Sequence, residues 1–229
     1  MNELEFTILM PCLNEEKTVA ACVSSARGWL ERTGYTGEVL VVDNGSTDAS
    51  AANAQRAGAR VVPEQRKGYG SALIRGISEA RGRYIIMGDC DCSYDFTKLD
   101  GFADKLHQGY DLVMGNRFKG GIAKGAMPFS HKIGAPCLSF VAKVRYGVPV
   151  GDFHSGLRAF DTAMARTLGL RCPGMEFATE LVARFKKAGA RMCEVPITLS
   201  PDGRDGKGHL NTIRDGFRHL RFILSPLEK

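Results

Sequence analysis

Residues 83–91 of this 229-residue chain read Arg83-Tyr84-Ile85-Ile86-Met87-Gly88-Asp89-Cys90-Asp91. The first five form a short, mainly apolar run, which predicts a buried β-strand over residues 83–87. Two carboxylates one residue apart follow where the backbone leaves the sheet. Such a pair can converge on one hard cation and leave positions open for phosphate oxygens. Aspartates of an ordinary turn or helix cap are the alternative, but the position at a strand end favours a metal site.

Similar apolar runs occur earlier and later in the chain, and they predict strands over 6–10, 38–42, 59–62 and 111–114. Helical patterns over 16–30, 49–57 and 70–80 separate the earlier ones. Apolar strands alternating with helices predict an α/β fold with a Rossmann-like, mostly parallel sheet covered by helices on both faces. Ligands bind such sheets beyond the carboxyl ends of the strands. Polar clusters occupy those ends: Asn14-Glu15-Glu16, Asp43-Asn44-Gly45-Ser46 and Asp89-Cys90-Asp91.

The alternation of strands and helices fades after residue 117. A Gly- and Lys-rich stretch over 119–127 predicts a mobile loop, and helices are expected over 131–145, 162–168 and 176–188, with a strand over 192–196. A Gly-rich basic loop over 201–209 precedes a last helix over 210–224. A chain of this length suits one large domain. We expect a single domain with a nucleotide-binding half, 1–117, and an acceptor half, 118–229.

The composition narrows the class of protein. The formal charge is +6, from 31 Lys and Arg against 25 Asp and Glu. A modest positive balance suits nucleic acid, phosphorylated small molecules or an anionic membrane surface. No nucleic-acid motif supports the first of these, so we expect no nucleic-acid partner. No run approaches the roughly 18 apolar residues of a membrane-spanning helix, so the sequence predicts no membrane span.

The seven cysteines are odd in number and scattered. The first residues show no signal-peptide pattern, which favours reduced thiols in a cytoplasmic protein. Cys90 and Cys92 are too close together to begin a usual zinc site and are predicted to be packing residues.

Two further segments carry polar chemistry. Asp43 lies at a strand tip, where its carboxylate can accept a hydrogen bond from a nucleobase or simply cap the turn that follows. Lys67-Gly68-Tyr69-Gly70 precedes a helix, so its lysine and backbone amides can face a phosphate, although a plain glycine turn is the alternative. The segment does not match the dinucleotide fingerprint, which argues against an NAD-dependent oxidoreductase.

Several motifs then occur in a characteristic order: Pro11-Cys12-Leu13-Asn14-Glu15-Glu16, Asp43 with Gly45-Ser46-Thr47-Asp48, Lys67-Gly68-Tyr69-Gly70, Asp89-Cys90-Asp91 and Gly115-Asn116-Arg117. Together they resemble the family 2 glycosyltransferases, whose catalytic domains have the GT-A fold. The segment Gly151-Asp152-Phe153-His154-Ser155-Gly156-Leu157-Arg158-Ala159-Phe160 is similar to one in the branch that makes polyprenyl-phosphate sugars.

The resemblance implies roles for the matching positions. Residues expected to bind the nucleotide are Pro11, Leu13, Asn14, Glu15, Asp43, Lys67 and Gly68. Asp89 and Asp91 are expected to contact ribose, diphosphate and a divalent cation, Mg²⁺ or Mn²⁺, with Asp91 the firmer ligand. Residues expected to bind the acceptor or its phosphate are Asp152, Ser155, Arg158, Arg204 and Lys207. Arg117 and Glu180 complete the predicted catalytic set with the two aspartates.

The chain departs from the family pattern at three positions. Leu13 stands where an aromatic residue is common, Ser93 is a weaker third ligand than the usual residue, and His154 is not a usual feature. We therefore expect His154 to be structural.

The expected activity is inverting transfer of a hexose from a UDP- or GDP-sugar to a polyprenyl phosphate. An acceptor phosphate is already anionic, so it needs orientation by basic residues more than a general base. Glu176 and Glu180 are the candidates if a base is required. A soluble saccharide or protein acceptor is the alternative. A nucleotide-sugar pyrophosphorylase is more remote, because the chain lacks a Gly-rich, basic loop after its first strand.

The last helix has an amphipathic pattern. Its apolar residues recur at three- and four-residue steps between arginines, which predicts a helix lying on an anionic lipid surface. A terminal helix packed on the domain is the alternative. We expect a cytoplasmic protein at the inner face of the membrane.

Overall fold

The structure is a computed structural model that describes residues 4–203 and 212–225. Within those residues one sheet contains seven strands: β1 (Leu4–Cys12), β2 (Gly37–Asp43), β3 (Arg60–Pro63), β4 (Gly82–Met87), β5 (Leu112–Asn116), β6 (Arg158–Asp161) and β7 (Met192–Pro196). The helices are α1 (Val19–Thr33), α2 (Ser50–Arg56), α3 (Tyr69–Glu79), α4 (Asp100–His107), α5 (Arg117–Gly120), α6 (Phe129–Tyr146), α7 (Thr162–Thr167), α8 (Phe177–Lys187) and α9 (Thr212–Leu224).

The strand order across the sheet is β3-β2-β1-β4-β6-β5-β7. Every pairing is parallel except those of β6, which runs antiparallel to both β4 and β5. The mostly parallel α/β sheet predicted from the sequence is therefore confirmed. Strand β6 and helix α4 were not predicted.

The direction of β6 decides which loops meet. The carboxyl ends of β1, β2, β4 and β5 lie at one edge of the sheet, as parallel pairing requires. Because β6 is reversed, its first residue, Arg158, pairs with Met87, the last residue of β4. The segment 151–157, which precedes β6, is thereby brought to the same edge as Asp89 and Asp91.

The core has a layer on each side of the sheet. Phe6 and Trp29 are fully buried on one side, with their ring centroids 5.4 Å apart in an edge-to-face contact. Phe160 and Phe185 pack together on the other, with α3, α7 and α8. Helices covering both faces hold the sheet edge rigidly, so the loops at that edge have fixed supports.

One prediction for residues 118–229 needs correction. The stretch 119–127 is not loop throughout, because Lys119 belongs to α5 and Ile122 forms a bridge with Leu199. Helix α9 packs inward through the buried residues His219 and Ile223. No helix in the described parts of the chain is long and apolar enough to cross a membrane.

Candidate active site

The turn after β4 fixes the orientation of Asp91. This residue is buried, and its Oδ1 accepts hydrogen bonds from Ser93 N at 2.9 Å and Ser93 Oγ at 2.5 Å. Between them Cys92 adopts a φ of 67°, which is uncommon for a residue with a side chain. The Asp91 carbonyl accepts from Gly203 N at 2.8 Å. Ser93, expected to be a weak third ligand, therefore positions the Asp91 carboxylate.

Asp89 lies between the Tyr69 hydroxyl and the backbone of the segment 151–157, which precedes β6. The Tyr69 hydroxyl hydrogen-bonds the Asp89 carboxylate, and burial followed by the Asp89 charge raises the pKa of Tyr69 well above its usual value. Gly156 lies so close that a Cβ there would be 2.4 Å from Asp89 Oδ2. The Tyr94 hydroxyl accepts from Gly156 N at 2.8 Å. Tyr69 lay within a predicted motif but was given no role of its own, and Tyr94 was not singled out in the sequence.

The loops after β1 and β2 are bound to each other. Asn14, at a φ of 56°, donates from its backbone N to Ser46 Oγ and accepts from Thr47 N at 2.8 Å. Glu15 is buried, and its Oε2 accepts from the Thr18 hydroxyl. Asn14 therefore braces the two loops, while Pro11 and Leu13 are half-buried beside it.

Asp43 ends β2 opposite Cys12, the last residue of β1. Its Oδ1 accepts from Ser46 N at 3.2 Å, which is a turn-capping contact. This contact supports the capping interpretation, and base recognition by Asp43 stays a prediction.

The buried side chain of Asn44 organises the loop that carries Lys67 and Gly68. Its Nδ2 donates to the carbonyls of Glu64 and Arg66, and its Oδ1 accepts from Gly68 N at 2.7 Å. Lys67 Nζ lies over the β2 turn, 2.9 Å from the position that a Cβ on Gly45 would take. The sequence motif contained Asn44, but its role depends on this distant loop.

The segment 171–175 contacts the start of α3 at Gly70. A Cβ on Gly70 would lie 2.0 Å from the carbonyl oxygen of Cys172, and Ser71 N donates to Pro173 O. The segment 171–175 therefore rests directly on the loop that carries Lys67 and Gly68.

Arg117 and Asp152 form a buried ion pair. The guanidinium donates from Nε at 2.8 Å and from Nη2 at 2.7 Å to the two carboxylate oxygens, and Asp152 is fully buried. Burial opposes the charge, but the hydrogen bonds to Asp152 raise the pKa of Arg117. Asp152 was expected to bind acceptor phosphate. We revise that assignment, because this carboxylate neutralises Arg117.

The roles predicted for Arg158 and Ser155 in phosphate binding are also revised. The Arg158 guanidinium is buried and donates to the carbonyls of Ser155, Ala178 and Phe153. Burial lowers the pKa of Arg158. The Ser155 hydroxyl is fully buried and donates to the carbonyl of Leu157. With these groups turned to the backbone, the geometry does not fit phosphate binding by either residue.

Glu180 does not fit the role of a general base. It is buried, accepts from the backbone amides of Arg171 and Cys172, and pairs with Arg184 Nε at 3.0 Å. Its carboxylate thus anchors the segment 171–175. Glu176 accepts from Arg218 Nη2 at 2.8 Å through Oε1, and its buried Oε2 lies against Gly174.

His154 has the contacts of a structural residue. Its Nδ1 lies 3.2 Å from Ser139 Oγ, and its ring meets that of His219 edge-on at 4.6 Å. Burial, then the nearby His219, Arg117 and Arg158, lower the pKa of His154 well below its usual value. Arg204 and Lys207 lie outside the described residues, so their predicted contacts with phosphate stay predictions.

The donor set at this edge suits a hard divalent cation. Asp89 and Asp91 supply carboxylate oxygens, and the described chain holds no cluster of three or more His, Cys, Asp or Glu residues arranged for a metal. Mg²⁺ is commonly bound by one or two carboxylates together with substrate phosphates. The two aspartates therefore fit a cation whose remaining ligands come from a phosphorylated substrate.

The family follows from comparison with known proteins. The family model described as Glycosyl transferase family 2 matches residues 7–169, which include Asp43, Asp89 and Asp91. The chain belongs to glycosyl transferase family 2. This family 2 chain is 40% identical, over 220 residues, to the low-salt glycan biosynthesis hexosyltransferase Agl6 of Haloferax volcanii. That match covers 95% of the chain and 52% of the relative, so the chain spans about half of that protein's length.

A second relative of this family 2 chain is the dolichyl-phosphate hexose transferase of Haloferax volcanii. It is 30% identical over 202 residues, which are 84% of the chain and 82% of the relative. Among solved structures, the fold is similar to glucosyl-3-phosphoglycerate synthase from Mycobacterium tuberculosis in complex with Mn²⁺, UDP-glucose and phosphoglyceric acid. The TM-score is 0.77 at 22% identity, covering 96% of the chain and 79% of that protein. The fold of the chain is GT-A.

Proposed function

We propose that this family 2 chain is an inverting glycosyltransferase that transfers a hexose from a nucleotide-diphosphate sugar to a polyprenyl phosphate. The observation that carries the proposal is the position of Asp89 and Asp91. They lie between the loops after β1 and β2 on one side and the segment 151–157 on the other. A donor bound along the first two loops then has its diphosphate at the carboxylates.

Asp91 and Asp89 would hold Mg²⁺ or Mn²⁺. When bound, such a cation supplies neutralisation of the negative charge on the departing nucleoside diphosphate. Ser93 and Tyr69 orient the two carboxylates, so the residues do not have to reorganise when the donor binds. The similar synthase was solved with Mn²⁺ and with Mg²⁺, which supports this choice of cation.

The nucleoside would lie along Pro11, Leu13, Glu15 and Asp43, with Lys67 near the phosphates. Lys67 is exposed and its Nζ lies over the β2 turn, where an anionic diphosphate can reach it. The UDP and UDP-glucose bound in the similar synthase favour a UDP-sugar over a GDP-sugar for this chain.

We consider two acceptors, a lipid phosphate and a soluble phosphorylated acid, and both are anions. A lipid phosphate is supported by the dolichyl-phosphate hexose transferase among the relatives. Arg117 and Arg158 are engaged with protein groups, so Arg204 and Lys207 are the remaining candidates for binding its phosphate. The phosphoglyceric acid in the similar synthase supports a second candidate, a soluble phosphorylated acid, in place of the soluble saccharide or protein expected from the sequence.

A lipid acceptor places the chain at a membrane surface, and we propose the inner face. Helix α9 presents exposed Leu224 and Arg221 while burying Ile223. Helix α6 exposes Phe140 and Val144 beside it. Apolar side chains flanked by arginine suit an anionic lipid surface.

The test is a transfer assay with labelled UDP- and GDP-sugars, Mg²⁺ or Mn²⁺, and either a short polyprenyl phosphate or phosphoglyceric acid. We expect sugar on the lipid phosphate. Product only on the soluble acid would contradict the lipid acceptor and leave the donor assignment intact. Formation of a nucleotide sugar from a nucleoside triphosphate and a sugar phosphate would contradict the transferase assignment altogether.

A further inference from the structure

A pair of thiols lies directly behind the predicted metal ligand. Cys22, on α1, and Cys92, next to Asp91, have their Sγ atoms 3.6 Å apart. All seven cysteines of the chain are free thiols. Cys22 is buried and Cys92 is partly exposed, so oxidation by a small peroxide is expected to begin at Cys92. None of the contacts assigned above to donor or acceptor binding uses either sulfur.

The backbone at Cys92 is unusual in a way that serves this contact. A φ of 67° favours glycine or asparagine, yet a cysteine stands here and directs its sulfur at Cys22. The same conformation turns the chain so that Ser93 can bind Asp91 Oδ1. A backbone of this kind carries an energetic cost and persists only where the surrounding contacts hold it.

We infer that Cys22 and Cys92 form a site of reversible oxidation by hydroperoxides, and that the resulting disulfide weakens donor binding at Asp91. The effect on donor binding rests on the proposed function, whereas the disulfide itself does not.

Oxidation of the pair consumes one hydrogen peroxide. The Cys92 thiol and hydrogen peroxide give a sulfenic acid and one water. The Cys22 thiol then attacks that sulfur, the S–O bond breaks, and the hydroxyl leaves as a second water. In all, the two thiols lose two protons and two electrons, and the peroxide is reduced to two waters. A dithiol reductant reverses the reaction by exchange.

The disulfide would move the turn rather than the helix. A disulfide joins sulfurs about 2.05 Å apart, so the present separation must close by about 1.5 Å. Cys22 belongs to a fifteen-residue helix whose apolar face, including Val19 and Val23, is buried in the core. Close-packed interiors resist such a shift, so the displacement falls on the turn that contains Asp91 and Ser93.

Contacts on both sides of Cys92 would transmit that displacement to the site. Asp91 and Ser93 flank Cys92, and their hydrogen bonds set the orientation of the carboxylate. On the other side Cys92 Sγ lies 3.8 Å from the carbonyl of Thr18, whose hydroxyl binds Glu15 Oε2. Disturbing the partners of a metal ligand typically weakens metal binding by about 10- to 100-fold.

The experiment uses the full chain carrying Cys137→Ser, which removes the exposed thiol of α6. The protein is treated with hydrogen peroxide, and its peptides are mapped with and without dithiothreitol. UDP-glucose binding with Mn²⁺ is measured on the same samples by calorimetry. We expect a reducible peptide joining Cys22 to Cys92, a donor Kd raised by about 10- to 100-fold, and recovery on reduction.

Two matched variants locate the effect. Cys22→Ala should keep its donor affinity after peroxide, because the sulfenic acid on its Cys92 cannot close the cross-link that displaces the turn. Cys12→Ala, which removes an equally buried thiol that contacts Cys90 instead, should lose affinity as the parent does.

Any one of three results would overturn the inference. The two thiols could survive peroxide, Cys92 could be oxidised without forming a cross-link, or the cross-link could form and leave the donor Kd unchanged. If Cys22→Ala does not fold, the peptide map and the binding data of the parent decide. If reduced parent protein binds no nucleotide sugar, the proposed function fails, and the peptide map still decides whether the pair is oxidised.

Discussion

Gly156→Ala is the substitution that most sharply probes the geometry around Asp89. The Gly156 backbone does not adopt a left-handed conformation, so alanine meets no backbone strain there. The added methyl would lie 2.4 Å from Asp89 Oδ2 and 3.0 Å from Tyr94 Cε2. The change therefore acts through a clash with the carboxylate and the adjoining ring.

The size of the effect follows from these distances. Carbon–oxygen contacts lie at about 3.3 Å or more, so the Asp89 carboxylate must retreat by about 1 Å. It cannot rotate freely, because the Tyr69 hydroxyl binds it. A misplacement of about 1 Å in a site can reduce the rate by about 100-fold. We expect kcat/KM to fall by that factor, and the free energy of unfolding to fall by about 1–3 kcal/mol from overpacking.

Two measurements are needed, both well below the unfolding temperature. One is the rate of transfer from a labelled nucleotide sugar, and the other is the free energy of unfolding in urea. Gly28→Ala is the matched control, because a Cβ at this helical glycine meets no atom within 4 Å. It should leave kcat/KM unchanged and raise stability by about 1 kcal/mol. A folded Gly156→Ala protein with wild-type kcat/KM would refute the role given to Asp89.

Three further predictions follow from the buried charges. Glu180→Gln should lower the free energy of unfolding by about 2–3 kcal/mol, because the ion pair with Arg184 is lost. It should leave kcat within about threefold of the wild-type value. A fall in kcat of about 100-fold or more would instead mark Glu180 as a general base. Asp152→Asn should cost about 3–5 kcal/mol in urea unfolding, since Arg117 stays buried without its counter-charge; a loss below about 1 kcal/mol would contradict the pairing. The pKa of His154 is lowered in the folded state, so the unfolded chain takes up the proton first and stability is lost as pH falls below about 6.5. His154→Leu should flatten that acid slope by up to about 1.4 kcal/mol per pH unit, and an unchanged slope in pH-dependent urea unfolding would contradict it.

The sequence predicted which residues lie at the carboxyl edge of the sheet, because the local pattern of apolar residues determines where each strand ends. Apolar runs ending at Asp43 and at Met87 indicate parallel strands, and the carboxyl ends of such strands meet whatever the details of packing. Asp43, Asp89 and Asp91 could therefore be placed together from the sequence alone. Strand β6 could not, because four residues carry little periodic signal and their reversed direction depends on pairing with distant strands.

The roles of the buried polar residues were beyond sequence reasoning for a different reason. Arg158 and Glu180 have the chemistry of phosphate binding and proton transfer. What decides their roles is which partners surround them, such as Ala178 for the arginine and Arg184 for the glutamate. Those contacts arise from tertiary packing, which residue type and spacing do not specify. Tyr69 was part of a predicted motif, but its contact with Asp89 crosses between two elements of the sheet edge.

The central claim is that Asp91 binds a divalent cation on which donor binding depends. Calorimetric titration of UDP-glucose and GDP-mannose into wild type and Asp91→Asn, with Mn²⁺ and with EDTA, tests it most directly. Asparagine keeps the oxygen that accepts from Ser93, so the turn should persist and near-UV circular dichroism should match wild type. We predict that wild type binds one donor at least about tenfold more tightly with Mn²⁺ than with EDTA, and that Asp91→Asn binds it equally weakly in both. Wild-type, Mn²⁺-dependent donor affinity in Asp91→Asn would contradict the claim.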